Sequence, residues 1–147
     1  MMNSLLVMAL IAGRRCALKA PDVQSVIEVG TITPIPRVPP YIAGLTAMRS
    51  QALTVLDCRT AIGFNAAEFT LDHRAIVTRH EGDLYALRVD AIEDICSSVS
   101  EPGSVPGGFG KQWTRFSTGL VETRVGPALL LDLAAMIEGS AAMGAAA

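Results

Sequence analysis

Few residues in this 147-residue sequence have the types and spacing that chemistry requires. Gly110-Lys111 ends a glycine-rich stretch as a phosphate-cradling loop would, but that loop needs glycine where Val105 stands and Ser or Thr where Gln112 stands. Nucleotide binding is not expected. His73 and His80 lie seven residues apart on one predicted strand, so they point to opposite faces. No HExxH or comparable ligand set accompanies them, and both read as surface histidines with no metal to hold. Cys16, Cys58 and Cys96 are an odd number with no CxxC pair, which suggests neither a disulfide framework nor a zinc site and fits a reducing cytosol. The partners of a Ser-His-Asp or Cys-His nucleophile converge only in space, yet no local motif such as GxSxG supports one. No catalytic residue and no cofactor is assigned.

Asp57, Asp90, Asp94 and Asp132 each follow an apolar run and invite a paired-carboxylate reading. Caps and turns account for them better. Asp57 and Asp132 stand where helices begin, and Asp90 and Asp94 flank a strand that must turn back. Trp113, in a chain with 5% aromatics, cannot build the stacking platform that single-stranded nucleic acid requires, and it reads as a core or loop anchor.

The elements that must carry these residues follow from composition and punctuation. Half the residues are hydrophobic and 18% are charged, enough for one self-sufficient core. The net charge of −2 offers no field for a polyanion, so nucleic acid is excluded as a partner. Leu5 to Ala12 is about eight residues long, against the roughly twenty a membrane-crossing helix needs. Its positive charges, Arg14 and Arg15, follow the apolar stretch rather than precede it, so it reads as a buried first strand and not as an export signal. Residues 139–147 read as a disordered tail.

Apolar runs of five to eight residues recur between glycine and proline punctuation, the rhythm of an all-β chain. Leu5–Ala12 with Cys16–Ala20, Arg74–Arg79 with Leu84–Val89, and Gly119–Thr123 with Pro127–Leu131 read as hairpins. Gly44–Met48 and Gln51–Leu56 meet at Arg49-Ser50. A short helix follows, capped by Asp57 and stopped at Gly63. Asp132 begins a second helix, with Leu133, Met136 and Ile137 on one stripe before Gly139. Thr33–Pro40, with four prolines, reads as a rigid connector, and Ser100–Gly110 as an exposed, mobile loop.

The segment ITPIPRVPPYIAG from Ile32 to Gly44, followed by LTAMRSQALTVLDCRTAIG from Leu45 to Gly63, resembles the CheW-like family. There a proline-rich connector leads to an NLRG-x-x-x-P-[VI]-[VI]-D-L-R-x-x-x-G signature, whose register is kept here without gaps, although the asparagine gives way to Ala47-Met48 and the proline expected near Thr54 is absent. Leu84 to Ile92 resembles the family's G-[IL]-x-V-D-x-V strand, and Gly119 with Leu129 to Leu133 resembles its closing strand and helix. The resemblance implies an all-β fold of two intertwined, SH3-like five-stranded barrels over residues 5–138, sharing a hydrophobic junction, with a C-terminal helix. It implies a non-enzymatic cytoplasmic adaptor that couples chemoreceptor cytoplasmic tips to the regulatory domain of a CheA-type histidine kinase, reaching the membrane only through its partners. The alternative is a divergent paralogue that binds one partner and modulates array or surface-motility signalling. Glu28 and Arg49 match polar positions that lie near the family's interfaces, and they are expected either to pair or to be solvated. Val26, Ile27, Val89 and Ile92 are the apolar partner-binding candidates. Ser50 replaces the signature glycine at a bend whose φ serine reaches only at some cost.

Overall fold

In the computed structural model, residues 5–99 and 101–138 are described. The expected stop at Gly139 and the tail beyond it lie outside them, as does Ser100. Among the described residues there are ten strands: β1 (Leu5–Ile11), β2 (Arg14–Lys19), β3 (Ser25–Glu28), β4 (Ile42–Met48), β5 (Gln51–Asp57), β6 (Arg74–His80), β7 (Asp83–Arg88), β8 (Ala91–Ser97), β9 (Ser117–Thr123) and β10 (Gly126–Leu131). Helices α1 (Cys58–Ile62) and α2 (Lys111–Phe116) are joined by α3 over residues 133–138. The three hairpins read from the sequence form, two of them turning at Ala12-Gly13 and Glu81-Gly82, and the runs that meet at Arg49-Ser50 form a fourth. The strand β8 and helix α2 were not read from the sequence. Asp94 does not flank a strand but lies inside β8.

The strands divide into two five-stranded sheets, ordered β8-β1-β2-β10-β9 and β3-β6-β7-β5-β4. They have the same plan, circularly permuted. In each, an outer strand flanks a hairpin, a second hairpin joins the first through a parallel pair (β2 with β10, β7 with β5), and a helix follows the last strand of that second hairpin. The segment after each outer strand reaches the far edge of its own sheet. Thr33 exchanges both backbone hydrogen bonds with Leu45 (2.8 and 2.9 Å), and Gly103 does the same with Leu120. Glycine precedes each of those leucines for a steric reason: a Cβ on Gly44 would collide with the Thr33 carbonyl, and one on Gly119 would press on that of Gly103. The sequence carries the echo, since Gly44-Leu45 and Asp57 recur as Gly119-Leu120 and Asp132, each 75 residues on.

Central strands read as unbroken apolar runs because they are buried on both faces. With a period of two, Leu6, Met8, Ala17, Val121, Ala128 and Leu130 fill the core of one sheet. Leu53, Val55, Ala75, Val77, Leu84 and Ala86 fill that of the other. The alternate residues, among them Val7, Ile11, Cys16, Leu56, Ile76, Leu87 and Leu129, meet in a third core between the sheets, completed by Trp113 and Phe116 of α2 and Met136 of α3. This is the expected shared junction. Each fully buried Leu or Ile stabilises it by about 1.5–3 kcal/mol.

At the β4–β5 turn both Arg49 (φ 51°) and Ser50 (φ 70°) are left-handed, so the tight hairpin geometry survives without its glycine. Serine holds that conformation against the steric preference of an L-residue. Ser50→Gly is therefore expected to raise stability in urea unfolding by roughly 0.5–1 kcal/mol; an unchanged midpoint would show that the turn carries no strain.

Candidate partner-binding surfaces

The chain returns from the β3–β7 sheet to the other in two residues, Val89 and Asp90. Val89 is 1% exposed and belongs to the core. Asp90 is fixed from three sides: its N–H donates to Leu10 O, and its carboxylate accepts the Gly13 N–H at 3.0 Å and the Arg59 guanidinium at 3.1 and 3.3 Å. The Asp90 and Arg59 side chains are only 9% and 17% exposed. Arg59 is set in place by α1, which starts at Asp57, whose Oδ1 accepts the Arg59 N–H, and ends at Gly63 in the left-handed conformation. Its guanidinium also donates to Asn65 O and lies 5.3 Å from the ring of Phe69, holding an exposed aromatic on the surface.

A second carboxylate pins the same crossing. Asp72 accepts the N–H groups of Arg74 (2.9 Å) and Ile92 (2.7 Å) and a two-pronged contact from the Arg74 guanidinium. It thereby ties the start of β6 in one sheet to the start of β8 in the other. Burial alone would push this carboxyl up; the bonds from the Arg74 side chain and from the Ile92 and Arg74 backbone, with the Arg74 charge, outweigh it and hold the group well below the usual carboxylate range. Burial pushes the thiols of Cys16 and Cys58 up, and all three cysteines are free and buried, so they act as apolar packing.

The site residues read from the sequence fall into separate places. Val26, Ile27 and Arg49 line one cleft of about 260 Å³ with Gln24, Ser25 and Met48, where β3 and β4, the two edges of their sheet, approach through Ser25 Oγ and Met48 Sδ at 4.0 Å. Glu28 does not pair with Arg49 among the described residues. The strand carries it three residues past Ser25, where its carboxylate, 83% exposed, lies 3.8 Å from His73. Of the two earlier readings, solvation holds. Val89, being core, offers no surface to a partner, and its place at the crossing explains why an apolar residue is required there. Ile92 is half-buried against the shared core. His73 is exposed as expected, whereas His80, with an 18% exposed side chain, is largely covered.

Sequence reasoning missed a further surface. Leu5 and Ile95, 54% and 57% exposed, share with Val7 the face of the β1–β8 pair that elsewhere forms the junction core. Their large apolar side chains continue that core out into solvent. The signal was β8 itself, whose alternation is obscured by Glu93 and Asp94 and by a bulge opposite β1.

A family model described as a CheW-like domain matches residues 5–141. The chain is 36% identical over 63 residues to chemotaxis protein CheW of Rhizobium meliloti (strain 1021), covering 43% of this chain and 41% of that protein. It is 30% identical over 83 residues to a probable chemotaxis protein CheW of Rhizobium etli, covering 54% of each. The matched stretches thus span about half the length of these relatives. The crystal structure of scaffolding protein TtCheW from Thermoanaerobacter tengcongensis has the same fold, with a TM-score of 0.80 over 93% of this chain and 94% of that one at 24% identity.

Two measurements test the pinned crossing. Because the folded-state pKa of Asp72 is depressed, its contribution is complete above the ordinary carboxylate value of about 4 and is lost as pH falls below it. Wild-type stability should drop more steeply than that of Asp72→Asn between about pH 5 and pH 2.5; parallel curves would refute this. Arg59→Ala, which strands a buried Asp90 charge, should cost about 3 kcal/mol, and the double variant with Asp90→Ala less than the sum of the two singles. Strict additivity in urea unfolding would count against the link.

Proposed function

We propose that this chain, which belongs to the CheW-like domain family of non-enzymatic chemotaxis scaffold proteins, couples chemoreceptor cytoplasmic tips to the regulatory domain of a CheA-type histidine kinase. It does so in the cytoplasm, as one domain over residues 5–138. A coupler needs two separate adhesive faces on a rigid body. The observation that carries the reading is that large apolar side chains are exposed on both sheets: Val26 beside Ile27, Met48 and Arg49 on one, Leu5 and Ile95 on the other. Among the described residues no helix is long and apolar enough to cross a membrane.

In this reading the face around Leu5, Ile92 and Ile95, continuous with the core between the sheets, takes the receptor tip. The Val26–Arg49 cleft, with Glu28 and its charge nearby, takes the kinase domain. Apolar anchors would supply affinity at each face and the exposed charges orientation. The pinned Val89-Asp90 crossing matters because it fixes the spacing of the two faces, so that binding at one is geometrically compatible with binding at the other.

Pulldowns with the kinase regulatory domain and, separately, with receptor cytoplasmic fragments test this. Ile95→Glu should weaken receptor binding by about thirtyfold and spare the kinase, while Val26→Glu and Arg49→Ala should do the reverse. Binding to only one partner would establish the single-partner paralogue instead; binding to neither would refute the adaptor reading.

A further inference from the structure

At the tip of the β6–β7 hairpin, His80, Glu81 and Glu138 bring an imidazole nitrogen and two carboxylates together, with one donor atom from each lying within 4.8 Å of the others. The histidines have no ligand set in the local sequence; the fold supplies one by bringing Glu138, at the end of α3, to His80. We propose that these three side chains bind a divalent first-row transition ion.

The geometry of His80 argues for it. Its Nε2 is buried and lies 2.7 Å from a Glu138 carboxylate oxygen, yet among the described residues it makes no directed hydrogen bond to that or any other acceptor. A buried ring nitrogen left in that state is costly. Two ligands of one ion stand in this relation: they do not point at each other, and their lone pairs converge on a third point about 2.0–2.2 Å from each. Glu81 follows His80 directly in the chain, and neighbours on a strand face opposite ways. Here Glu81 leaves the strand with φ 50°, a left-handed turn that breaks the alternation and lets both side chains serve one site. One imidazole with two carboxylates suits Zn²⁺, Mn²⁺ or Fe²⁺, and the absence of thiolate from the set disfavours Cu⁺. Arg79, which precedes His80 in the chain, turns its guanidinium to Gly82 O at 3.1 Å. Asp83, at the other side of the turn, adds a further negative charge.

Occupancy has a structural consequence. His80 and Glu81 belong to one sheet, whereas α3 follows the last strand of the other and seats Met136 and Ile137 in the shared core. A bound ion would fasten the two halves together at the end of the junction. This inference does not depend on the identity of either partner.

Isothermal titration of the whole chain with ZnCl₂ at neutral pH tests it, the buried thiols being unavailable to compete. One equivalent should bind in the micromolar range. His80→Ala and the conservative, exposed Glu138→Gln should each weaken binding about tenfold or more. His73→Ala, which removes the histidine beside Glu28 and Asp72, should leave it unchanged, and zinc should raise the melting temperature of the wild type but not of Glu138→Gln. No binding at millimolar zinc, undiminished binding by Glu138→Gln, or loss on His73→Ala would each overturn the proposal.

Discussion

The two carboxylates that hold the Val89-Asp90 crossing govern the rest of the molecule. A chain that leaves one sheet and enters another within two residues has no length to absorb error, and its backbone polar groups are taken from water. Asp90 resolves this by accepting from the Gly13 N–H and the Arg59 guanidinium, and Asp72 by accepting from Ile92 and Arg74. Each carboxylate takes donors from both sides of the crossing. The link is strong because the groups are largely buried and the bonds are charge-assisted. It would be a liability if either arginine were absent.

The same contacts give the residues of the family signature a structural reason. In Asp57-Cys58-Arg59 and Val89-Asp90 the aspartate caps α1, the helix aims Arg59, and Arg59 meets Asp90 across 31 positions of sequence. Val89 fills the core immediately beside that contact. The turn that carries Arg49 tolerates a departure. Ser50 stands where the signature has glycine, yet the turn keeps its left-handed pair and presents Arg49 to the cleft all the same.

The repeated plan of the two sheets gives the fold its economy of cores. Each sheet contributes alternate residues to its own interior and to the junction, so the junction is lined by β1, β2 and β10 from one side and β5, β6 and β7 from the other. Because the central strands alternate faces, a one-residue slip in any of them would exchange two cores at once. Register is therefore held by packing on both sides, and the surfaces at the margins, Leu5 with Ile95 and Val26 with Met48, inherit that rigidity.

The sequence by itself determined the elements. Glycine punctuation placed three hairpins, Asp57 and Asp132 marked their helices, and the signature around Arg49 and Asp57 carried the family, because turns, caps and period-two patterns are local physics. Tertiary structure decided what lies between elements. Burial of Val89 rather than its exposure, the solvation of Glu28 away from Arg49, and the cover over His80 depend on which strand lies beside which. The Asp72 and Asp90 contacts join residues that local pattern cannot relate. The helix α2 escaped notice because its apolar residues, Trp113 and Phe116, amount to less than two turns of periodicity. β8 escaped because an edge strand with exposed Glu93, Asp94 and Ile95 and a bulge against β1 lacks the alternation that a half-buried strand displays.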